Sequence, residues 1–153
     1  MQYGCIGETL KHSFSREIHE MLGRYPYELC EVAADDFDRF ATERAFTAIN
    51  VTIPYKERIL PYLFEITDAA KRIGAVNTVV NRNGRLFGYN TDYMGMQQLI
   101  LRAGISLVGK KVLILGTGGT SKTAFCVATD GGASAVFRVS RSAREDALSY
   151  DEA

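Results

Sequence analysis

Along this chain the spacing of apolar residues switches repeatedly between a period of two and a period near 3.6, which predicts strands and helices in alternation. Tyr3–Gly7 is the first expected strand. Ser13 and Ser15 then lead into a helix with Ile18, Met21 and Leu22 on one face, Ser15 serving as its N-cap. A strand is expected over 27–32. Asp35 or Asp36 caps a short helix carrying Phe37, Phe40 and Ala41. Residues 46–51 read as a strand halted by Pro54, and 56–63 and 67–73 as two short helices. The runs 76–81 and 86–90 flank Asn83-Gly84, the favoured dipeptide of a type I′ turn, so they predict a hairpin. That hairpin places one antiparallel strand in an otherwise parallel sheet.

Met96, Leu99, Ile100 and Ala103 keep helical spacing, and Gly104 supplies a C-terminal stop. This helix is expected to bridge two domains. After it come a strand at Lys111–Leu115, a helix over 120–129, a strand over 135–140 and a polar helix starting at Arg141. The strand–helix–strand portion opens with Leu115-Gly116-Thr117-Gly118-Gly119-Thr120. Glycine removes Cβ so that backbone N–H groups can approach a phosphate, and a helix N-terminus adds partial positive charge. An ordinary tight turn is the plain alternative, but the strand before and the helix after favour a dinucleotide cradle. A Walker-type loop fits less well, because Ser121 stands where its second glycine belongs.

At the exit of the next strand stand Ser140, Arg141 and Ser142, with Arg144 beyond, where folds that use NAD carry an acidic residue. A guanidinium fork suits a 2′-phosphate, which favours NADP. Earlier in the chain, Asn50 and Thr52 lie two apart and so share a strand face, and Lys56 follows the break at Pro54. Two neutral polar groups and an ammonium suit hydroxyls and a reacting oxygen, although a lone Lys is most often a surface residue. Asp92 opens the bridging helix, a position that dipole complementation alone explains.

Composition narrows the function classes. The 153 residues are 46% hydrophobic and 24% charged, with eighteen basic and eighteen acidic side chains. The balance leaves no chain-wide basic field for nucleic acid. No apolar run approaches the roughly 20 residues that span a bilayer, and the N-terminus lacks the charged and apolar regions of a signal peptide. Cys5, Cys30 and Cys126 are scattered without metal-ligand spacing, and His12 and His19 are too few for a metal site. The cysteines are expected to be buried free thiols of a cytoplasmic protein.

Taken together, these strings resemble the shikimate dehydrogenase family, over nearly the whole chain and in order. The matching segments are Ile6-Gly7, His12-Ser13-Phe14-Ser15 with His19, Asn50 to Lys56, Ala75-Val76-Asn77-Thr78, Gly88 to Gly95, Gly116 to Gly119 and Ser140-Arg141-Ser142. The resemblance implies NADP-dependent, reversible reduction of 3-dehydroshikimate to shikimate, on the route to chorismate and the aromatic amino acids. By it, Ser13 and Ser15 would hold the substrate carboxylate, and Asn50, Thr52 and Asn77 would bind ring oxygens. Lys56 would be the acid/base group paired with Asp92. Asp68, Gly116, Thr117, Gly118, Gly119, Thr120, Ser140, Arg141 and Arg144 would face the cofactor. The chain departs from the family's pattern at Arg16, where Pro is usual, at Glu20, where Asn is common, and in lacking Pro before His12.

The expected architecture is α/β. A three-layer α/β/α substrate domain over 1–92, with a mostly parallel mixed sheet, is followed by a bridging helix and a partial Rossmann domain over 93–153. Only two of that domain's strands are present, so the chain is expected to be a truncated product or an excised piece without useful dehydrogenase activity. The cut edge is expected to invite self-association. Two other readings stay open: a quinate/shikimate dehydrogenase, and a non-catalytic module that binds polyol carboxylates.

Overall fold

Strand β1 (Tyr3–Gly7) runs parallel to both of its neighbours, β2 (Glu28–Glu31) and β3 (Ala48–Val51). With β4 (Glu65–Ile66), β5 (Thr78–Arg82) and β6 (Arg85–Tyr89) they make a six-stranded sheet in the order β2-β1-β3-β5-β6-β4. β5 runs antiparallel to β3 and β6 and is the one reversed strand of that sheet. The β5–β6 hairpin turns at Asn83 and Gly84, whose φ values of 53° and 82° are those of the type I′ turn their sequence predicts. This computed structural model describes residues 1–142 and 144–153. It divides into two units, Met1–Lys71 with Ala75–Asn90, and Arg72–Gly74 with Thr91–Ala153.

Strand alternation sorts the first unit's side chains into two layers. Ile6, Ile49, Val51, Val79 and Leu86 point to one face, where they pack with Phe37 and Ala41 of α2 (Phe37–Glu43) and Tyr55 of α3 (Tyr55–Arg58). Ala70 of α4 (Asp68–Ile73) completes this core. Tyr55 and Phe37 are both 0% exposed and stack at 4.3 Å, each such burial being worth about 1.5–3 kcal/mol. On the opposite face Tyr3, Cys5 and Leu29 gather with Tyr27 and Leu10, on the side where α1 (Ser15–Leu22) packs against β1 and β2. The fold of this unit is therefore the expected mixed α/β sheet between helical layers.

The structure changes several local expectations. Ser15 does not cap α1; the Ser13 hydroxyl accepts the Ser15 N–H at 3.3 Å, and Phe14 holds the cap position. Nor does α1 bury its apolar stripe: Ile18, Met21 and Leu22 are 53%, 86% and 79% exposed. The ring of His19 stacks on Tyr27 instead, and that contact sets the roll of the helix. The expected 56–63 helix breaks into α3 and a 3-10 turn at Leu60–Tyr62, because Pro61 has no N–H to continue the ladder. β3 starts two residues later than expected, at Ala48, while Phe46 turns inward to stack on Phe40.

In the second unit, α5 (Thr91–Arg102) ends on Gly104 at φ 66°, with Gly104 N–H on Leu101 O and Ile105 N–H on Ile100 O. This is the Schellman closure its glycine predicts. Leu99, expected on its buried face, is 69% exposed; α5 packs principally on α6 (Gly119–Asp130), and one neighbour buries one stripe. β7 (Lys111–Leu115) and β8 (Ala135–Val139) pair in parallel. Thr123, Val127 and Ala128 of α6 are buried, whereas Leu113 and Leu115 of β7 are 47% and 70% exposed. The polar helix expected from Arg141 is not formed among the described residues. The segment folds back instead: Ser140 N–H bonds Leu148 O, and Leu148 N–H bonds Arg138 O, both at 2.8 Å. Ser140 helps to turn the chain by accepting the Ser142 N–H, the kind of local bond that competes with helix.

Candidate functional site

The motif residues of the first unit meet at one end of its sheet because of strand direction. Gly7 and Thr52 lie at the carboxyl ends of β1 and β3, and reversal of β5 brings Asn77 and Thr78, at its start, to the same end. Asn90 follows the end of β6. In open α/β sheets, ligands bind outside the carboxyl ends of the strands. Backbone bonds tie the group together: Thr52 N–H to Ile6 O, Val51 N–H to Asn77 O and Val76 N–H to Lys56 O, at 2.8–2.9 Å. Gly7 is required here, since a Cβ would come within 2.6 Å of Thr52 Cγ2 and 2.9 Å of Leu10 Cδ2.

Lys56, Thr52, Ser13 and Ser15 are half-buried, and Asn77 is buried at 7% exposure. Burial pushes the Cys5 thiol above the ordinary range, against a hydrogen bond from the Ser15 side chain and the charge of Lys56, which pull it down. Asn50 stands beside Cys5 in the sheet register, and its amide is held by three neighbours. Oδ1 accepts the Tyr27 hydroxyl at 2.5 Å, while Nδ2 donates to Thr78 Oγ1 at 3.2 Å and to Asn77 O at 3.5 Å.

The remaining residues fall elsewhere. Asp92 lies in the first turn of α5, half-buried, in the second unit. Asp68 opens α4 with its side chain 99% exposed and 3.6 Å from Lys71. The glycine turn follows β7 as expected. Gly116 has φ 122°, a conformation that suits glycine, and its N–H is tied to Val139 O. A Cβ built on Gly116 or Gly118 would meet nothing within 4 Å, so the space above the turn is open. Gly118 caps α6, Gly119 begins it, and Thr117 and Thr120 flank the turn. The donor-rich end of a twelve-residue helix beneath an open glycine turn fits a pyrophosphate.

At the end of β8 the picture is less open. Ser140 is buried and Arg141 is exposed. Arg144 Nε bonds Asp146 Oδ1 at 3.1 Å, and Arg138 Nη2 bonds Asp146 Oδ2 at 2.8 Å. These arginines hold the Asp146 carboxyl below its usual range, Arg144 most strongly. Among the described residues no group of His, Cys, Asp and Glu could hold a metal. All three cysteines are free, Cys5 buried and Cys30 and Cys126 half-buried. Tyr27 and Cys5 are the site-adjacent residues that motif spacing did not single out. Strand parity could have found Cys5, two positions before Gly7 on the same face.

A polar-lined sheet end in one unit, and a strand, a glycine turn and a helix in the other, define a two-unit α/β protein whose second unit opens with the strand–turn–helix that begins dinucleotide-binding folds. Residues 5–79 match the family described as the shikimate dehydrogenase substrate binding domain. The NADP(+) shikimate dehydrogenase of Clostridium beijerinckii is 35% identical over 98% of this chain and 58% of its own length. A crystal structure of shikimate dehydrogenase 1 from Peptoclostridium difficile matches with a TM-score of 0.89 at 37% identity, covering 99% of this chain and 60% of that one. The Thermus thermophilus enzyme in complex with NADP(H) and shikimate matches at TM-score 0.79 and 34% identity, over 90% and 56%. The chain belongs to the shikimate dehydrogenase family, and it spans somewhat more than half the length of these relatives.

Proposed function

We propose that this chain carries the shikimate-binding unit and the first part of the NADP-binding unit of a shikimate dehydrogenase, which reversibly reduces 3-dehydroshikimate to shikimate. The observation that carries this reading is the sheet end where Gly7, Asn50, Thr52 and Asn77 stand together, tied by the bonds of Thr52 N–H to Ile6 O, Val51 N–H to Asn77 O and Val76 N–H to Lys56 O. A carboxylate on the substrate suits the Ser13 and Ser15 hydroxyls, and amides and a hydroxyl suit ring oxygens.

NADPH, when bound, supplies the hydride. The turn from Gly116 to Thr120 would hold its pyrophosphate, with Ser140, Arg141 and Arg144 toward the 2′-phosphate and Asp68 on the cofactor side. Reduction of a ketone leaves negative charge on its oxygen. The Lys56 ammonium would donate its proton to that oxygen, and the family resemblance gives Asp92 as its accompanying acid. In the reverse direction the neutral Lys56 amine takes the proton from the hydroxyl. The exposed Leu113 and Leu115 beside the outer edge of β7 support self-association of the second unit.

Calorimetric titration of the chain with shikimate tests the reading. Binding that requires the carboxylate, and that is lost in the Ser13→Ala/Ser15→Ala double variant, is the expected result. Heats indistinguishable from dilution, with a folded protein in the cell, would overturn it.

A further inference from the structure

Tyr27 belongs to none of the motif strings, yet it touches the site through a chain of hydrogen bonds whose direction can be worked out. Its ring is 3% exposed and is stacked on His19 at 3.9 Å and 10°, and His19 Nδ1 lies 2.7 Å from the Tyr25 hydroxyl. Arg16 Nε, at the position where the family usually has Pro, donates to Tyr27 O at 3.1 Å. The ring is thus clamped between α1 and the entry to β2. Burial, then the neighbouring Cys5 and Tyr25, push the phenol far above its ordinary range, so it stays neutral and keeps its proton to donate.

From that proton the rest follows. A backbone carbonyl can only accept, so the edge of Asn50 nearest Asn77 O is its NH₂, and the other edge, its oxygen, faces Tyr27. The same NH₂ donates to Thr78 Oγ1 at 3.2 Å. The Thr78 hydroxyl, having accepted there, spends its own proton on Asn77 Oδ1, also at 3.2 Å. The oxygen of Asn77 is therefore turned to Thr78, and its NH₂ to the opposite side. An amide nitrogen recognises only an acceptor.

We propose that Tyr27 is a positioning residue: acting through Asn50 and Thr78, it fixes the flip state of Asn77 and thereby selects which ring oxygen of a cyclic polyol the site accepts. This rests on the shikimate reading above. It adds that discrimination among ring hydroxyls originates in a phenol one layer behind the ligand-contacting groups. Without the phenol proton, only the long 3.5 Å contact from Asn50 Nδ2 to Asn77 O still favours one orientation of that amide, and the donor–acceptor order of the relay is imposed on Asn77 more weakly.

Tyr27→Phe keeps the ring and its stacking and removes only the hydroxyl. The test is calorimetry on the full chain with shikimate and with the monodeoxy analogues that each lack one ring hydroxyl. In the unsubstituted chain, the analogue missing the hydroxyl read by Asn77 should bind about tenfold or more weakly than shikimate. In Tyr27→Phe that ratio should fall to within about threefold. Thr78→Val interrupts the relay one step later and should do the same, which keeps the test available if Tyr27→Phe fails to fold. A packing role alone would weaken shikimate and every analogue by one common factor and leave the ratios intact. Intact ratios in both variants would therefore overturn the proposal while leaving the shikimate reading standing. Absence of shikimate binding by the unsubstituted chain would remove both.

Discussion

Arg72 closes on Asp130 with both guanidinium nitrogens, and Tyr93 of α5 donates its hydroxyl to the same carboxylate. Asp130 stands at the last position of α6, where a helix end repels negative charge. The Arg72 bond, then that of Tyr93, nevertheless hold its carboxyl below the ordinary aspartate range near 3.8. A depressed value means that the pair stabilises the folded unit fully above the ordinary value and loses that contribution as the pH falls through the lower, folded one. Asp130→Asn should lower the unfolding midpoint at pH 7 and have a smaller effect near pH 3. An equal loss at both pH values would show that the charge is not what holds these groups.

The role proposed for Lys56 is proton transfer, which predicts an effect on turnover more than on ligand binding. In a chimera completed with the C-terminal portion of a full-length relative, Lys56→Ala should reduce kcat by about 10²- to 10⁴-fold. The dissociation constant for shikimate, measured on the same protein, should move far less. Turnover within a few-fold of the parent would remove Lys56 from the chemistry.

Gly7 makes a purely steric prediction. An added methyl would press on Thr52 Cγ2 at 2.6 Å and Leu10 Cδ2 at 2.9 Å, in a corner where Thr52 is pinned by its bond to Ile6 O. Gly7→Ala should cost about 1–3 kcal/mol in chemical denaturation, and shikimate binding should weaken with it. An unchanged denaturation midpoint would mean that the corner is slack.

Asp146 pairs with Arg138 of β8 and with Arg144 beyond it. An anion such as a 2′-phosphate must compete with that carboxylate for Arg144. Asp146→Asn should therefore tighten NADP binding several-fold by calorimetry and leave NAD binding unaltered. Weaker NADP binding in the variant would instead make Asp146 a support of the pocket.

The exposed leucines of β7 predict association. Leu113 and Leu115 project from a two-stranded sheet. Sedimentation velocity should show concentration-dependent dimers or larger species, and Leu115→Glu should shift them toward monomer. A parent that stays monomeric at high micromolar concentration would rule this out.

Much of the architecture was legible from residue order. The Asn83-Gly84 hairpin, the Gly104 helix stop and the strand–glycine–helix unit all rest on φ preferences and periodicities that act within a few residues. So do the motif strings, because Asn50 and Thr52 share a strand face whatever surrounds them. The start of α1 was not legible, since two serines two residues apart offer the same chemistry, and Phe14 between them took the cap position.

Sequence by itself determined most of the strands and helices and the chemical groups at their ends, but not β4, the break at Pro61 or the segment after β8. Tertiary structure alone decided the roll of α1, which follows His19 onto Tyr27, the flip of Asn50 and Asn77, and the folding-back of the segment after β8. The physical reason is range: a turn or a period is set by neighbours in the chain, whereas an amide's orientation is set by whichever donor the sheet brings beside it, and Tyr27 and Asn50 lie 23 residues apart.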